Sequence, residues 1–157
     1  MTEIKVSRNT SLNETELTVI MGLWNQEYPK QLSFKEIDHF KQYLKDLSNP
    51  IHYLVRNKAK TICAWAFTFD RDRERWFAII VNHQVQGHGI GSHLLTTIKK
   101  DAERLVGWVI DGDNYIKNGG MTYKSPLAFY LKNGFEVLPN ERLTNEKISA
   151  VKISYSS

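Results

Sequence analysis

One cysteine stands in a chain of 157 residues, so no intramolecular disulfide can brace the fold. Cys63 lies inside the apolar run "TICAWAF" and is expected to be a buried strand thiol. No apolar stretch approaches the roughly 18 residues that span a bilayer. The opening "MTEIKVSRNT" lacks the apolar core of a signal peptide. These absences point to a cytoplasmic protein that makes no membrane contact. Blocks of like charge are missing too. Lys and Arg number 21 against 17 acidic residues, a net charge of +4, and they are scattered along the chain. Nucleic acid is therefore not an expected partner, whereas a small polyanion suits the mild positive charge. The stretch "DRDRER" at 70–75 alternates in sign and fits a solvated hairpin tip. No metal is expected either. His83, His88 and His93 are five apart, which does not stack on one helical face, and His39 and His52 add no second ligand cluster.

What is present is an ordinary globular balance, 41% hydrophobic and 24% charged, in a length that suits one domain over residues 1–157. The pattern alternates between helix and strand. Ile4 to Ser7 is a strand candidate. Asn13 to about Tyr28 carries Leu17, Ile20, Met21 and Trp24 at helical spacing, closed by Pro29. "SFKE" at 33–36 has the form of a capping box ahead of a helix whose apolar face runs from Phe34 to Leu47. Ile51 to Arg56 and Thr61 to Phe69 are strands flanking a turn at "NKAK". Trp76 to Val81 is almost wholly apolar, which predicts a central strand buried on both faces. A helix from Ile90 to about Arg104, a strand from Val106 to Ile110, and a short helix opened by Ser125-Pro126 and ended by Asn133-Gly134 follow. The last strands are Phe135 to Leu138 and Ser149 to Tyr155.

The most informative stretch is "QVQGHGIGSHLL", where Gly87, Gly89 and Gly91 separate a buried strand from an amphipathic helix. A helix start offers unpaired N–H groups and partial positive charge, and glycines before it let the backbone wrap an anion. A pyrophosphate is the natural occupant. A P-loop is excluded, because Lys is missing from "GIGSH". A dinucleotide fingerprint needs glycine where Ser92 stands and a repeated βαβ unit around it, which disfavours a nicotinamide-type oxidoreductase.

Gln86-Gly87-His88-Gly89-Ile90-Gly91 resembles the pyrophosphate loop of the GNAT superfamily of N-acetyltransferases, whose pattern is Arg/Gln-x-x-Gly-x-Gly/Ala. Ile79-Ile80-Val81 resembles the family's fourth strand. "FYLKNGFEV" at 129–137 resembles its second signature, with a tyrosine four residues before Gly-Phe. The order of elements is similar from residue 1 to about 155. The resemblance implies an α+β fold, a mostly antiparallel twisted sheet with helices on both faces, in which the fourth and fifth strands run parallel and splay apart. It implies an acetyl-CoA (coenzyme A) site formed by Ile79, Ile80 and Val81 for the thioester arm and by Gln86, Gly87, His88, Gly89, Ile90, Gly91 and Ser92 for the pyrophosphate. It implies an N-acetyltransferase in which a primary amine attacks the thioester directly, and it makes Tyr130 the acid for the leaving thiolate.

The acceptor stays open between small-molecule and peptide or protein amines, as does self-association into a homodimer. The general base is open among Asp72, Glu74, Asp111 and water. The family's asparagine seven residues before the tyrosine is Tyr123 here, and the loop from 111 to 124 is long enough to cover an acceptor. Trp24, Tyr28, Phe34 and Tyr43 come from helices that border the family's acceptor cleft, with core packing as their simpler role. The alternative function is a noncatalytic acyl-CoA-binding or sensing module on the same scaffold.

Overall fold

The computed structural model describes residues 4–157, and in it the alternating pattern becomes seven strands and four α-helices. The strands are β1 (Val6–Asn9), β2 (Ser48–Arg56), β3 (Ile62–Arg71), β4 (Glu74–Val81), β5 (Arg104–Ile110), β6 (Glu136–Thr144) and β7 (Ser149–Ser156). The helices are α1 (Glu14–Glu27), α2 (Ile37–Lys45), α3 (Ile90–Lys99) and α4 (Leu127–Lys132). They form one sheet in the order β1-β2-β3-β4-β5-β7-β6. Every neighbouring pair is antiparallel except β4 with β5, which run parallel. No helix among the described residues is long and apolar enough to cross a membrane.

Period-two alternation along the strands feeds two cores, one on each face of the sheet. Tyr53, Val55, Ala64 and Ala66 point toward α3 and α4, where Leu94, Leu95, Ile98 and Tyr130 cover them. Leu54, Trp65 and Phe67 point the other way, under Ile20, Leu23, Trp24, Phe40 and Leu44 of α1 and α2. Cys63 is buried, as its apolar surroundings in the sequence predict.

The fourth strand and its neighbour part company almost at once. Among the described residues the registered pair between them is Trp76 with Val106, at the start of both strands. Beyond it, bulky groups occupy both faces of the divergence. The Trp76 and Trp108 rings lie 5.4 Å apart on the α1 face. On the other face Phe77 lies over Gly107, where a Cβ would come within 2.9 Å of its ring. β4 is consequently not buried on both faces along its length: Ile79 and Val81 are only partly covered, because they border the opening.

Several local expectations shift. The first strand begins two residues later than predicted, at Val6. The capping box at 33–36 does not form. Phe34 N–H donates to the Asn25 side chain, the Ser33 hydroxyl accepts from Asn118, and the chain enters α2 only at Ile37 with Glu36 as an N-cap that makes no side-chain bond. A true capping box sits instead at α1, where Asn13 and Glu16 satisfy each other's N–H groups, an arrangement that stabilises a helix start by about 1 kcal/mol. α3 stops at Lys99 rather than near Arg104, because Arg104 is needed to open β5. The cap of α4 is Pro126, one residue later than expected, although the Ser125 hydroxyl still accepts from Leu127 N–H at 3.2 Å. Asn133 and Gly134 end that helix as the sequence predicts, Gly134 with φ of 89°.

Candidate active site

The three glycines are required for different reasons. Gly87 and Gly89 sit at φ of 85° and 81°, left-handed conformations in which a side chain is strained. Gly91 has ordinary backbone angles, but a Cβ there would meet the Phe129 ring at 3.0 Å, so it permits close approach of α4 to α3. Gly89 is the N-cap of α3, and His93 N–H bonds back to its carbonyl at 3.0 Å. The amides of Ile90, Gly91 and Ser92 therefore precede the helical ladder and are available to an anion, with the helix dipole behind them. Gln86 holds the loop's entry through a 3.0 Å bond from its amide to the Val81 carbonyl.

The opening presents backbone as well as side chains. Ala64 pairs with Val81 and Ala66 with Ile79 across the β3–β4 ladder. Asn82 N–H donates to the Cys63 carbonyl one step further along. Antiparallel pairs alternate between bonded and non-bonded. Ile80 is therefore bonded into β3, while the N–H and C=O of Ile79 and Val81 point to the open β5 side. Of the three strand residues expected to touch cofactor, Ile80 has its backbone committed to β3, and it lines one of the three cavities that meet at this opening. The Val81 carbonyl is taken by Gln86, leaving its N–H and both groups of Ile79.

Three cavities converge here, and Ile79 and Pro126 line all of them. The first, about 500 Å³, runs along the α3 side past Val81, Gln86, Gly87, Gly89, Ile90, Gly91 and Ser92 to Phe129 and Tyr130. All the loop residues expected in a pyrophosphate site line it except His88, which is exposed between the two left-handed glycines. Lys124 and Ser125 line it too; their positions at the end of a long loop gave no sequence signal. The second cavity, about 300 Å³, lies on the α1 and α2 face and is walled by aromatic rings. Trp24, Tyr28 and Tyr43 line it, while Phe34 packs among them as core. The third, about 340 Å³, is bounded by Glu27, His83, Lys117, Tyr123 and Lys124.

Tyr130 lines both the first and the second cavity. It is 6% exposed, held edge-on by Phe77, Phe129 and Phe135 at ring distances of 5.1–5.6 Å. Burial pushes its phenol up, with Tyr123 adding to the effect, so it carries its proton at neutral pH.

The acids named as base candidates lie elsewhere. Glu74 is paired with Lys152 at 2.7 Å and Arg104 at 3.4 Å, Asp111 is held by Arg142 at 2.9 Å, and Asp72 occupies the β3–β4 hairpin turn with φ of 52°. None of them lines the three cavities. The acid that does is Glu27, at the last turn of α1. Its carboxylate accepts from the Gln26 amide, His83 N–H and Lys117 at 2.7–2.9 Å, and the His83 Nδ1 stands 2.7 Å from Oε2. Burial pushes Glu27 up, but the bonds from Gln26, the His83 N–H, Lys117 and the His83 ring outweigh it and hold the carboxyl below its ordinary value. A carboxylate on Nδ1 sets the tautomer and leaves Nε2 as the basic nitrogen. Sequence reasoning missed this pair because its members are 56 positions apart and on different elements.

The long loop closes the site. Its chain folds back through bridges between Ile116 and Thr122 and between Pro29 and Lys117. Asn118 ties it to Asn25 and Ser33, and it delivers Lys117, Tyr123 and Lys124 to the cavities.

A family model described as the acetyltransferase (GNAT) domain matches residues 49–137, a span that holds the glycine loop, the splayed strands and Tyr130. The chain belongs to the GNAT acetyltransferase family. Solved GNAT structures share its fold nearly end to end. An aminoglycoside 6'-N-acetyltransferase complexed with coenzyme A superposes with a TM-score of 0.70 at 11% identity, covering 97% of this chain and 96% of the other. A ribosomal-protein-alanine N-acetyltransferase from Brucella melitensis gives 0.68 at 12% identity, over 96% and 99%. A spermidine/spermine N-acetyltransferase from Vibrio cholerae gives 0.61 at 15% identity, over 96% and 92%. No curated protein matches the sequence. At these identities the neighbours establish the GNAT fold and leave the acceptor to the residues of this chain.

Proposed function

We propose that the chain is an acetyl-CoA-dependent N-acetyltransferase that moves the acetyl group to a primary amine by direct attack. The observation that carries this reading is the junction at Ile79: a groove suited to a phosphate-bearing cofactor, an aromatic cavity and a buried carboxylate–histidine pair all open onto it. The residues fit the cofactor, since two left-handed glycines precede three helix-start amides beside a groove of about 500 Å³. Bound acetyl-CoA supplies the thioester that the amine attacks.

The chain's own groups do the rest. The amides of Ile90, Gly91 and Ser92 hold the pyrophosphate. The N–H of Val81 and the backbone of Ile79, facing the opening, orient the arm and steady negative charge on the acyl oxygen. His83, with Nδ1 fixed by Glu27, takes the proton of the amine, directly or through one water. Tyr130 gives its proton to the departing sulfur and regains one from solvent.

Thiol release from acetyl-CoA across a panel of primary amines tests the reading, with calorimetric titration of acetyl-CoA alongside. Turnover with at least one amine is expected. Tight cofactor binding with no thiol release for any amine would instead favour a noncatalytic acyl-CoA sensor.

A further inference from the structure

The second cavity tells what kind of amine the chain accepts, an inference that rests on the acetyltransferase reading. Its wall is built of rings from α1, α2, β3, β4, β5 and the 111–124 loop, namely Trp24, Tyr43, Phe69, Trp76, Trp108 and Tyr123, with Tyr130 of α4 at the reacting end. Among the described residues that line it there is no carboxylate, and its single charged group is Arg71. The exposed Arg71 guanidinium lies over that wall, its Cζ 4.2 Å from the Trp76 ring centroid and 5.3 Å from that of Phe69. Its positive charge has no carboxylate partner among the described residues, unlike Arg75 nearby, which is paired with Asp70 at 3.0 Å.

This arrangement is wrong for a polycation. Polyamines and amino sugars carry several ammonium groups; a ring face attracts one of them, but the cavity offers no carboxylate to offset the desolvation of the rest, and the Arg71 charge repels them. It is right for a body that stacks on aromatic rings and ends in an anion that an unpaired guanidinium can meet. The two ends are set by β4. Ile79 and Tyr130 mark the reacting end, and Trp76 beneath Arg71 marks the other, three strand residues away, on the order of 10 Å. We infer that the acceptor is an aromatic or bulky apolar monoamine carrying a carboxylate or similar anion at the end remote from its nitrogen. Its nitrogen reaches the opening beside Ile79, its ring fills the cavity, and its anion meets Arg71.

Three amines separate the outcomes: 4-(2-aminoethyl)benzoate, phenethylamine and spermidine. Quenching of tryptophan emission in the presence of coenzyme A reads binding, because Trp24, Trp76 and Trp108 all line the cavity. Thiol release reads transfer. The aminobenzoate should bind, and its kcat/KM should exceed that of spermidine at least ten-fold. Arg71→Met should lower the aminobenzoate-to-phenethylamine ratio at least ten-fold, whereas Arg71→Lys should retain part of it. Preference for spermidine overturns the inference while leaving the acetyltransferase reading intact, as does a ratio that Arg71→Met leaves unchanged. Failure of both arylethylamines to bind also overturns it. Binding of the aminobenzoate with no thiol release from any amine upholds the cavity's specificity and removes the catalytic reading.

Discussion

The two faces of the sheet solve different problems with different materials. The α3 side is built from backbone: left-handed glycines, helix-start amides, and strand groups left facing an opening. The α1 side is built from side chains: rings contributed by helices, three strands and a long loop. Backbone groups are the same in every sequence, so the first construction suits a cofactor common to a family. Side chains differ, so the second is the construction that can distinguish one chain from another, which is why the acceptor is proposed to bind there. The faces meet where β4 and β5 diverge after Trp76 and Val106.

The sharpest way to break this contrast is at the backbone. Gly89→Val imposes a branched residue at φ of 81°, at a position that lines the groove. Calorimetry should show loss of acetyl-CoA binding by at least about 100-fold, equivalent to about 2.7 kcal/mol at 1.36 per decade, with the circular dichroism of the folded protein retained. Unchanged affinity in a folded variant would move the cofactor off this loop.

Tyr130→Phe probes the boundary between the faces. The ring keeps its packing and the acid is lost, so turnover should fall about 10²- to 10⁴-fold. Cofactor affinity should change by no more than about 1 kcal/mol, one hydrogen bond's net worth. Near-normal turnover would assign the proton to water.

His83→Ala tests the pair that sequence did not reveal. Turnover should drop about 10²-fold or more, and added imidazole should restore part of it, which a purely structural role would not allow. Glu27→Gln should lower turnover less and leave no activity for imidazole to restore, since His83 is still present.

The last test leaves function aside and concerns the stability of the aromatic face alone. His52 is buried there and accepts from the Trp65 indole N–H at 3.1 Å. Burial pushes it down to about 4, with Glu16 opposing weakly. A histidine depressed in the folded state contributes stability that is complete above its unfolded pKa of about 6.5 and is lost as pH falls toward 4. The slope is about 1.4 kcal/mol per pH unit, so denaturant unfolding should show a loss of up to about 3 kcal/mol between pH 6.5 and 4. His52→Gln should flatten that slope. A wild-type protein equally stable at both pH values would contradict the assignment.

The same contrast explains what the sequence disclosed. The glycine loop, the strand before it and the tyrosine ahead of Gly134-Phe135 are local patterns with a fixed spacing, and they located the groove, the splayed strands and Tyr130. Hydrophobic period found nearly every element, erring by a few residues where a competing bond won. Ser33 shows why: its capping potential was local, but Asn118, 85 positions away, claimed the hydroxyl. His88 shows the converse, a residue between two lining glycines that is itself exposed and outside the groove. The wall of the second cavity and the Glu27–His83 pair had no local signal, because their members become neighbours only when α1, β4 and the 111–124 loop pack together.

The most direct measurement is a structure with acetyl-CoA bound. The account predicts pyrophosphate oxygens on the amides of Ile90, Gly91 and Ser92, the pantetheine arm bonded to Ile79 and Val81 in the opening between β4 and β5, and the sulfur within reach of the Tyr130 hydroxyl. A cofactor bound elsewhere, or β4 and β5 continuously paired to Val81 and Ile110, would contradict it.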